Sequence, residues 1–324
     1  MPRGGTDPRS ADGNCTSWLS ISPADPRGAD MRTDRGERGT IGRFIARFTW
    51  ARLLLFTVSL LAALIVLQTL VALVAHQIPR TERPLWLVPA KLLIGALMLW
   101  LYCGEVHYFE RRDVSELAPN GAARRVAAGI VLGATLFSVV FASLALGGYV
   151  QHPKFGGFTG VPEQLATSFA AAVGEELVFR GAIFRIADER LGTAAALLIS
   201  SILFGLVHAA NPGATPVSTV AIAVEAGALL GMAYSASGSL WLPMGLHFGW
   251  NFTEGGVFGT AVSGGQSHGL IESVLSGPTL VTGGAFGPEA SVVSVAVCLA
   301  ATAVAGVWTV RHGRWRPWRR QQQM

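Results

Sequence analysis

Gly174-Glu175-Glu176-Leu177-Val178-Phe179-Arg180-Gly181 sets three ionisable side chains inside an otherwise apolar helical run. A charge at the centre of a membrane helix costs about 2.5–3.5 kcal/mol on insertion scales, so such residues face a bundle interior or a wet cavity and mark function. Whether this run lies in a membrane is decided by composition. The chain has 324 residues, of which 51% are hydrophobic and 14% charged, and its mean hydropathy is +0.44. Soluble domains carry roughly 25% charged residues. A soluble fold could not hide so much apolar surface, and the expected fold class is an all-α, polytopic membrane helix bundle.

Working outward, apolar runs at Leu53–Ala75, Leu85–Tyr102, Val126–Val150, Leu165–Ile186, Leu191–Ala210, Val217–Ser235, Leu240–Phe258 and Val292–Thr309 predict about eight transmembrane helices. A hydrocarbon core of about 30 Å needs about 20 helical residues. Trp50, Trp86, Trp100, Trp241 and Trp308 sit near the ends of these runs, as an interfacial belt requires. Residues 1–45 are rich in Gly, Pro, Ser, Asp and Arg without apolar periodicity and read as a disordered basic tail. They hold no apolar core of a cleaved secretory signal. The bundle is placed at 46–310 and a second basic tail at 311–324.

Nine arginines precede or begin the first run, and Arg111, Arg112, Arg124, Arg125, Arg185, Arg190, Arg311, Arg314, Arg316, Arg319 and Arg320 follow on the same side if the N-terminus is cytoplasmic. The opposite loops hold Arg80, Arg83 and Lys154. This asymmetry predicts a multi-pass cell-membrane protein with both termini cytoplasmic. The formal charge of +5 comes from residues beside apolar spans, which points to an anionic bilayer face and away from nucleic acid. Cys15, Cys103 and Cys298 are far apart and form no CxxC pair, so neither a disulfide framework nor a thiolate metal site is expected. Gly255 to Glu289 holds ten glycines and no Lys or Arg, and reads as an outer loop or a re-entrant segment.

The chemistry sits on three helices. Glu176 and Arg180 are four apart and share a face as an ion pair, whereas Glu175 points about 100° away, free to face a cavity as a general base. Phe204 and His208 share a face of the next helix, which Asn211-Pro212 ends. His247 and Asn251 turn an imidazole and a carboxamide in one direction, the donor pair that a developing oxyanion needs. Six polar burials on three helices offset one another only if they meet. No HExxH, P-loop, GxSxG or EF-hand pattern occurs.

Glu175-Glu176-Leu177-Val178-Phe179-Arg180, Phe204-Gly205-Leu206-Val207-His208 and His247-Phe248-Gly249-Trp250-Asn251, in this order, resemble the motifs of the CPBP (Abi) intramembrane proteases, which include the type 2 CAAX prenyl endopeptidases and proteins of bacteriocin processing and immunity. The resemblance covers roughly Leu165 to Asn251 and implies a protease core at about 160–260. It implies that Glu175 and His208 polarise a water, that His247 and Asn251 hold the oxyanion, and that Glu176 with Arg180 braces the helix. The implied substrate is a membrane-associated protein or peptide, prenylated or otherwise close to lipid. The family is conventionally labelled metalloprotease, and the residues leave two routes open. Zinc held by Glu175, His208 and His247 is one. A metal-free general base, favoured because the spacing lacks the compactness of zincins, is the other. Two further functions fit intramembrane Glu and His: a proton-coupled transporter, or a catalytically idle, immunity-type membrane protein that binds a peptide in the same cavity.

Overall fold

The computed structural model describes residues 49–79 and 82–318. The N-terminal tail, Arg80, Arg319 and Arg320 lie outside the described residues. Helices occupy all eight apolar runs. They are α1 (Thr49–Gln77), α2 (Arg83–Glu105, continued by a wide π turn at Val106–Glu110) and α3 (Ala122–Leu146). Then α4 passes from Val161–Glu176 through a π-helical stretch, Leu177–Phe184, into Arg185–Leu191. Next come α5 (Thr193–His208), α6 (Pro216–Ser237, with a π turn at Ala223–Gly227), α7 (Trp241–Asn251, ending in a π turn at Phe252–Val257) and α8 (Val292–Arg311).

Five of these, α1, α2, α3, α6 and α8, are long and apolar enough to cross a membrane. The polar residues of interest lie on the other three. Every residue from Leu177 to Phe184 is buried, whereas the buried positions of α1 are Phe56, Leu60 and Leu64, and its Leu54, Val58 and Ile65 face outward. The charged helix therefore runs through the interior of the bundle, with α1 and its outward apolar face on the rim, which is the arrangement the insertion cost of α4 demands.

Where α7 meets α3 the backbones touch. A Cβ on Gly129 or Gly133 would lie 2.4 or 2.2 Å from the carbonyl oxygens of Leu242 and Leu246, and one on Gly245 or Gly249 would lie 2.4 Å from those of Val126 and Ile130. Two small-xxx-small faces thus interlock. Gly129 and Gly133 have the GxxxG spacing that lets helix backbones approach closely. Their partner is the Gly245/Gly249 pair that brackets His247, so the same contact fixes the height and rotation of a candidate site residue.

At one end of the bundle the arginines of the sequence are paired. Arg112 holds the Glu116 carboxylate with two parallel bonds of 2.8 and 2.7 Å, Tyr102 donates to the same carboxylate, and Arg185 binds Glu110 at 2.8 Å. At the other end β1 (Val150–Phe155) and β2 (Ile271–Leu275) form an antiparallel ribbon. The Gly-rich segment after α7 folds back at this end as a cover. Its turn at Ser263-Gly264 is pinned by Asn211 Nδ2 donating to the Ser263 carbonyl (3.1 Å) and by the Gly264 amide donating to the Phe286 carbonyl (2.7 Å). Gly264 has φ +80°, and a Cβ there would meet the Pro212 oxygen at 1.8 Å, so only glycine fits. Cys103 and Cys298 are free thiols.

Candidate active site

α4, α5 and α7 bring all six sequence-selected residues together. Glu176 is fully buried, and its Oε1 accepts from Arg180 Nη1 at 2.8 Å and from His247 Nδ1 at 3.0 Å. Arg180 is equally buried. Its Nη2 donates to the carbonyls of Ala226 and Gly227, both at 3.0 Å, in the wide turn of α6, and its guanidinium lies 4.7 Å over the Phe204 ring. Wide π turns depart from the regular i→i−4 ladder and gather at functional positions. Here one carries Arg180 and another carries the carbonyls that receive it.

Phe204 is the plate on which the cationic and imidazole groups rest: its ring also packs against His208 (4.6 Å between centroids) and His247 (6.2 Å). His208 Nδ1 donates to the Phe204 carbonyl at 2.8 Å, because a carbonyl only accepts. That leaves His208 Nε2 directed at Glu175 Oε2, 3.8 Å away, and His247 Nε2 lies 4.0 Å from the same oxygen. Glu175 has a side chain 23% exposed, and its Oε2 has no hydrogen-bond partner. Neither separation is a direct hydrogen bond. Both leave room for one bridging water.

Glu175, His208, His247 and Asn251 line a cavity of about 310 Å³, closed on its other sides by Gln164, Ser168 and the Ser263–Ser267 turn of the cover. Gln164, Thr167, Ser168, Ala171 and Glu175 descend along α4 from its N-terminal end into this cavity. The cavity therefore opens at the end of the bundle away from the arginine cluster around Arg112, Arg185 and Arg314.

A zinc site needs donors closer together than these. Bonds of about 2.0–2.1 Å in a tetrahedron place neighbouring donors about 3.4 Å apart. The Nδ1 partners of both histidines would serve a metal ligand equally well, so the donor separations decide. Glu175 Oε2 stands 3.8 and 4.0 Å from the two Nε2 atoms, and no group of three His, Cys, Asp or Glu side chains among the described residues has the geometry to hold a metal ion. The set spans a water molecule better than it clasps a cation.

The sequence reading passed over Glu225, Glu254, Glu289 and Ser263, all near this site. The insertion cost that singled out Glu175 applies equally to Glu225 in the sixth apolar run and Glu254 in the seventh. Glu289 and Ser263 had no such signal, since both lie in the Gly-rich segment whose path only the fold fixes.

Residues 157–253 match the family described as type II CAAX prenyl endopeptidase, Rce1-like. No curated protein and no solved structure matched the chain. The family match supports an intramembrane endopeptidase of the CAAX type in general, in a multi-pass membrane protein. The Glu-Glu-x-x-x-Arg, Phe-x-x-x-His and His-x-x-x-Asn side chains all fall inside the matched interval, and Glu175, His208, His247 and Asn251 line one cavity there, so residues 157–253 are similar to the CPBP/CAAX protease family in both sequence and the placing of these side chains.

Proposed function

We propose that the protein hydrolyses a peptide bond of a membrane-associated protein or peptide, lipid-modified substrates included, by a metal-free route in which Glu175 is the general base. The observation that carries this reading is the convergence of Glu175 Oε2 with the Nε2 atoms of His208 and His247, 3.8 and 4.0 Å away, from three helices.

With its Nδ1 proton committed to Phe204, neutral His208 presents a bare Nε2. A water between it and Glu175 donates one hydrogen to each, which turns an oxygen lone pair toward the scissile carbonyl carbon. As the C–O bond forms, Glu175 takes one proton and the carbonyl becomes an oxyanion. His247 donates a hydrogen bond from Nδ1–H to the Glu176 carboxylate. To donate from Nε2 as well it must be an imidazolium, and the Glu176 carboxylate is the counter-charge that holds it so. His247 Nε2–H and the Asn251 carboxamide together receive the oxyanion. When the C–N bond breaks, Glu175 passes its proton to the leaving nitrogen, and the proton left on the new carboxyl follows, so that a carboxylate and an ammonium depart. Glu176 thus does more than brace α4 against Arg180.

The test uses an internally quenched, prenylated CAAX peptide and the purified full-length protein in detergent. Cleavage that disappears in Glu175→Ala and His208→Ala, at unchanged protein level and unchanged thermal midpoint, supports the reading. Cleavage that persists in both overturns it. Glu175-dependent solute uptake into proteoliposomes without proteolysis would replace it with the transporter.

A further inference from the structure

Behind the catalytic histidines lies a second set of acids that hydrolysis as derived above does not use. Glu225 of α6, Glu254 in the turn that ends α7 and Glu289 just before α8 are 2%, 0% and 3% exposed. Cys298 Sγ of α8 donates to Glu225 Oε2 at 3.3 Å, and Trp250 Nε1 of α7 donates to Glu254 Oε2 at 3.1 Å. Glu254 Oε1 and Glu289 Oε1 have no hydrogen-bond partner. His208 and His247 are the basic side chains that line a cavity with Glu225 and Glu289. Three carboxyls in one buried pocket, with the His208 and His247 imidazoles as the basic groups of its lining and His247 already countered by Glu176, cannot all be ionised, because each unpaired charge there is far costlier than a proton kept. Burial, the largest influence on it, pushes the Glu289 carboxyl above its ordinary value, with Ser263 and His208 pulling the other way.

Between this cluster and the catalytic residues is a cavity of about 20 Å³, whose polar lining is Glu225, Glu289, Ser263, His208, His247 and Asn251. That volume holds one water, provided polar partners surround it. Those partners are present, and Glu289, whose Oε1 has no hydrogen-bond partner, is one of them. Glu254, which has the indole N–H to satisfy a negative charge, does not line it.

We propose that Glu225, Glu254 and Glu289 form a proton-sharing carboxylic acid site that takes one water in this cavity, and that Glu289 is a positioning residue which, as the neutral acid, holds that water against His208, His247 and Asn251. The neutral form matters because the same wall receives the oxyanion. A negative Glu289 beside it would oppose the developing charge, whereas a protonated one can donate and adds none. The proposal rests on the hydrolytic reading for its purpose, although not for its measurement.

The experiment is infrared spectroscopy of the full-length protein in detergent at neutral pH, comparing wild type with Glu289→Gln, Glu254→Gln and Glu225→Gln. The expected result is a protonated-carboxyl stretch in wild type that is lost in Glu289→Gln. A wild-type spectrum without that band, or a band unchanged in Glu289→Gln, overturns the proposal. Cleavage of the prenylated peptide supplies the second readout. Glu289→Gln, a neutral isostere, is expected to cleave at neutral pH and to move the alkaline fall in rate, which sets in as Glu289 ionises, to higher pH. A Gln variant with the wild-type pH profile overturns the positioning role. If Glu175→Ala still cleaves, the hydrolytic reading fails while the infrared result stands or falls on its own.

Discussion

At the scale of single residues, two adjacent glutamates of one helix acquire different chemistry from their partners alone. Glu176 has no exposure and its Oε1 is committed to both Arg180 and His247, whereas Glu175 is partly exposed and lines an open cavity. Removing a general base costs about 10²–10⁴ in rate, and Glu175→Gln is expected to lose that much in kcat. His247→Ala and Asn251→Ala should each cost about 10²–10³ in kcat with KM little changed, because they act on an oxyanion that exists only in the transition state. A KM rise with kcat preserved would reassign them to substrate binding. A strong chelator should leave cleavage untouched, and metal analysis of the purified protein should find no stoichiometric zinc that His208→Ala removes. Zinc that disappears in that variant would sink the metal-free route.

Individual elements owe their placement to features that act at helix level. The α3–α7 crossing is held by glycines on both helices, and with carbonyl oxygens 2.2–2.4 Å from any added Cβ, backbone would have to move. Gly133→Ala and Gly249→Ala are each expected to lower stability by about 1–3 kcal/mol, the ordinary cost of overpacking, read as a fall in the detergent thermal midpoint. Cleavage should fall with them because His247 rides on α7. In the connection between α2 and α3, burial alone would push the Glu116 carboxyl up, but donation from Arg112 and Tyr102 outweighs it and holds the group down at about 2. A carboxyl lowered in the folded state adds stability above its ordinary value of 4.5 and loses it as pH falls toward 2. The thermal midpoint of wild type should therefore drop through that window, and Glu116→Gln, already lacking the contribution, should drop less there. Equal pH dependence in the two proteins would refute the assignment.

For the whole molecule, the arginine-rich end and the mouth of the cavity at Glu175 are at opposite ends of the bundle. If the arginine end is cytoplasmic, as the charge asymmetry predicts, the cavity opens to the other side. In a background with the native cysteines replaced, Gln266→Cys should react with a membrane-impermeant thiol reagent in intact cells, and Gly313→Cys only after permeabilisation. The reverse pattern would invert the orientation.

The sequence by itself determined the membrane helix bundle and the eight apolar runs that helices occupy, five of them long enough to cross a membrane, and it singled out six candidate site residues, since apolar length, helical spacing and the cost of buried charge are local properties of the chain. It identified Glu175, Glu176, Arg180, His208, His247 and Asn251 as residues that must meet somewhere. Only the tertiary structure decided that Glu176 serves His247 as well as Arg180, that Gly245 and Gly249 are the counterpart of Gly129 and Gly133, and that the Gly-rich segment brings Ser263 and Glu289 over the site. Each of these joins groups on different elements, and spacing along one helix says nothing about which carbonyl, glycine or carboxyl another helix will place against it.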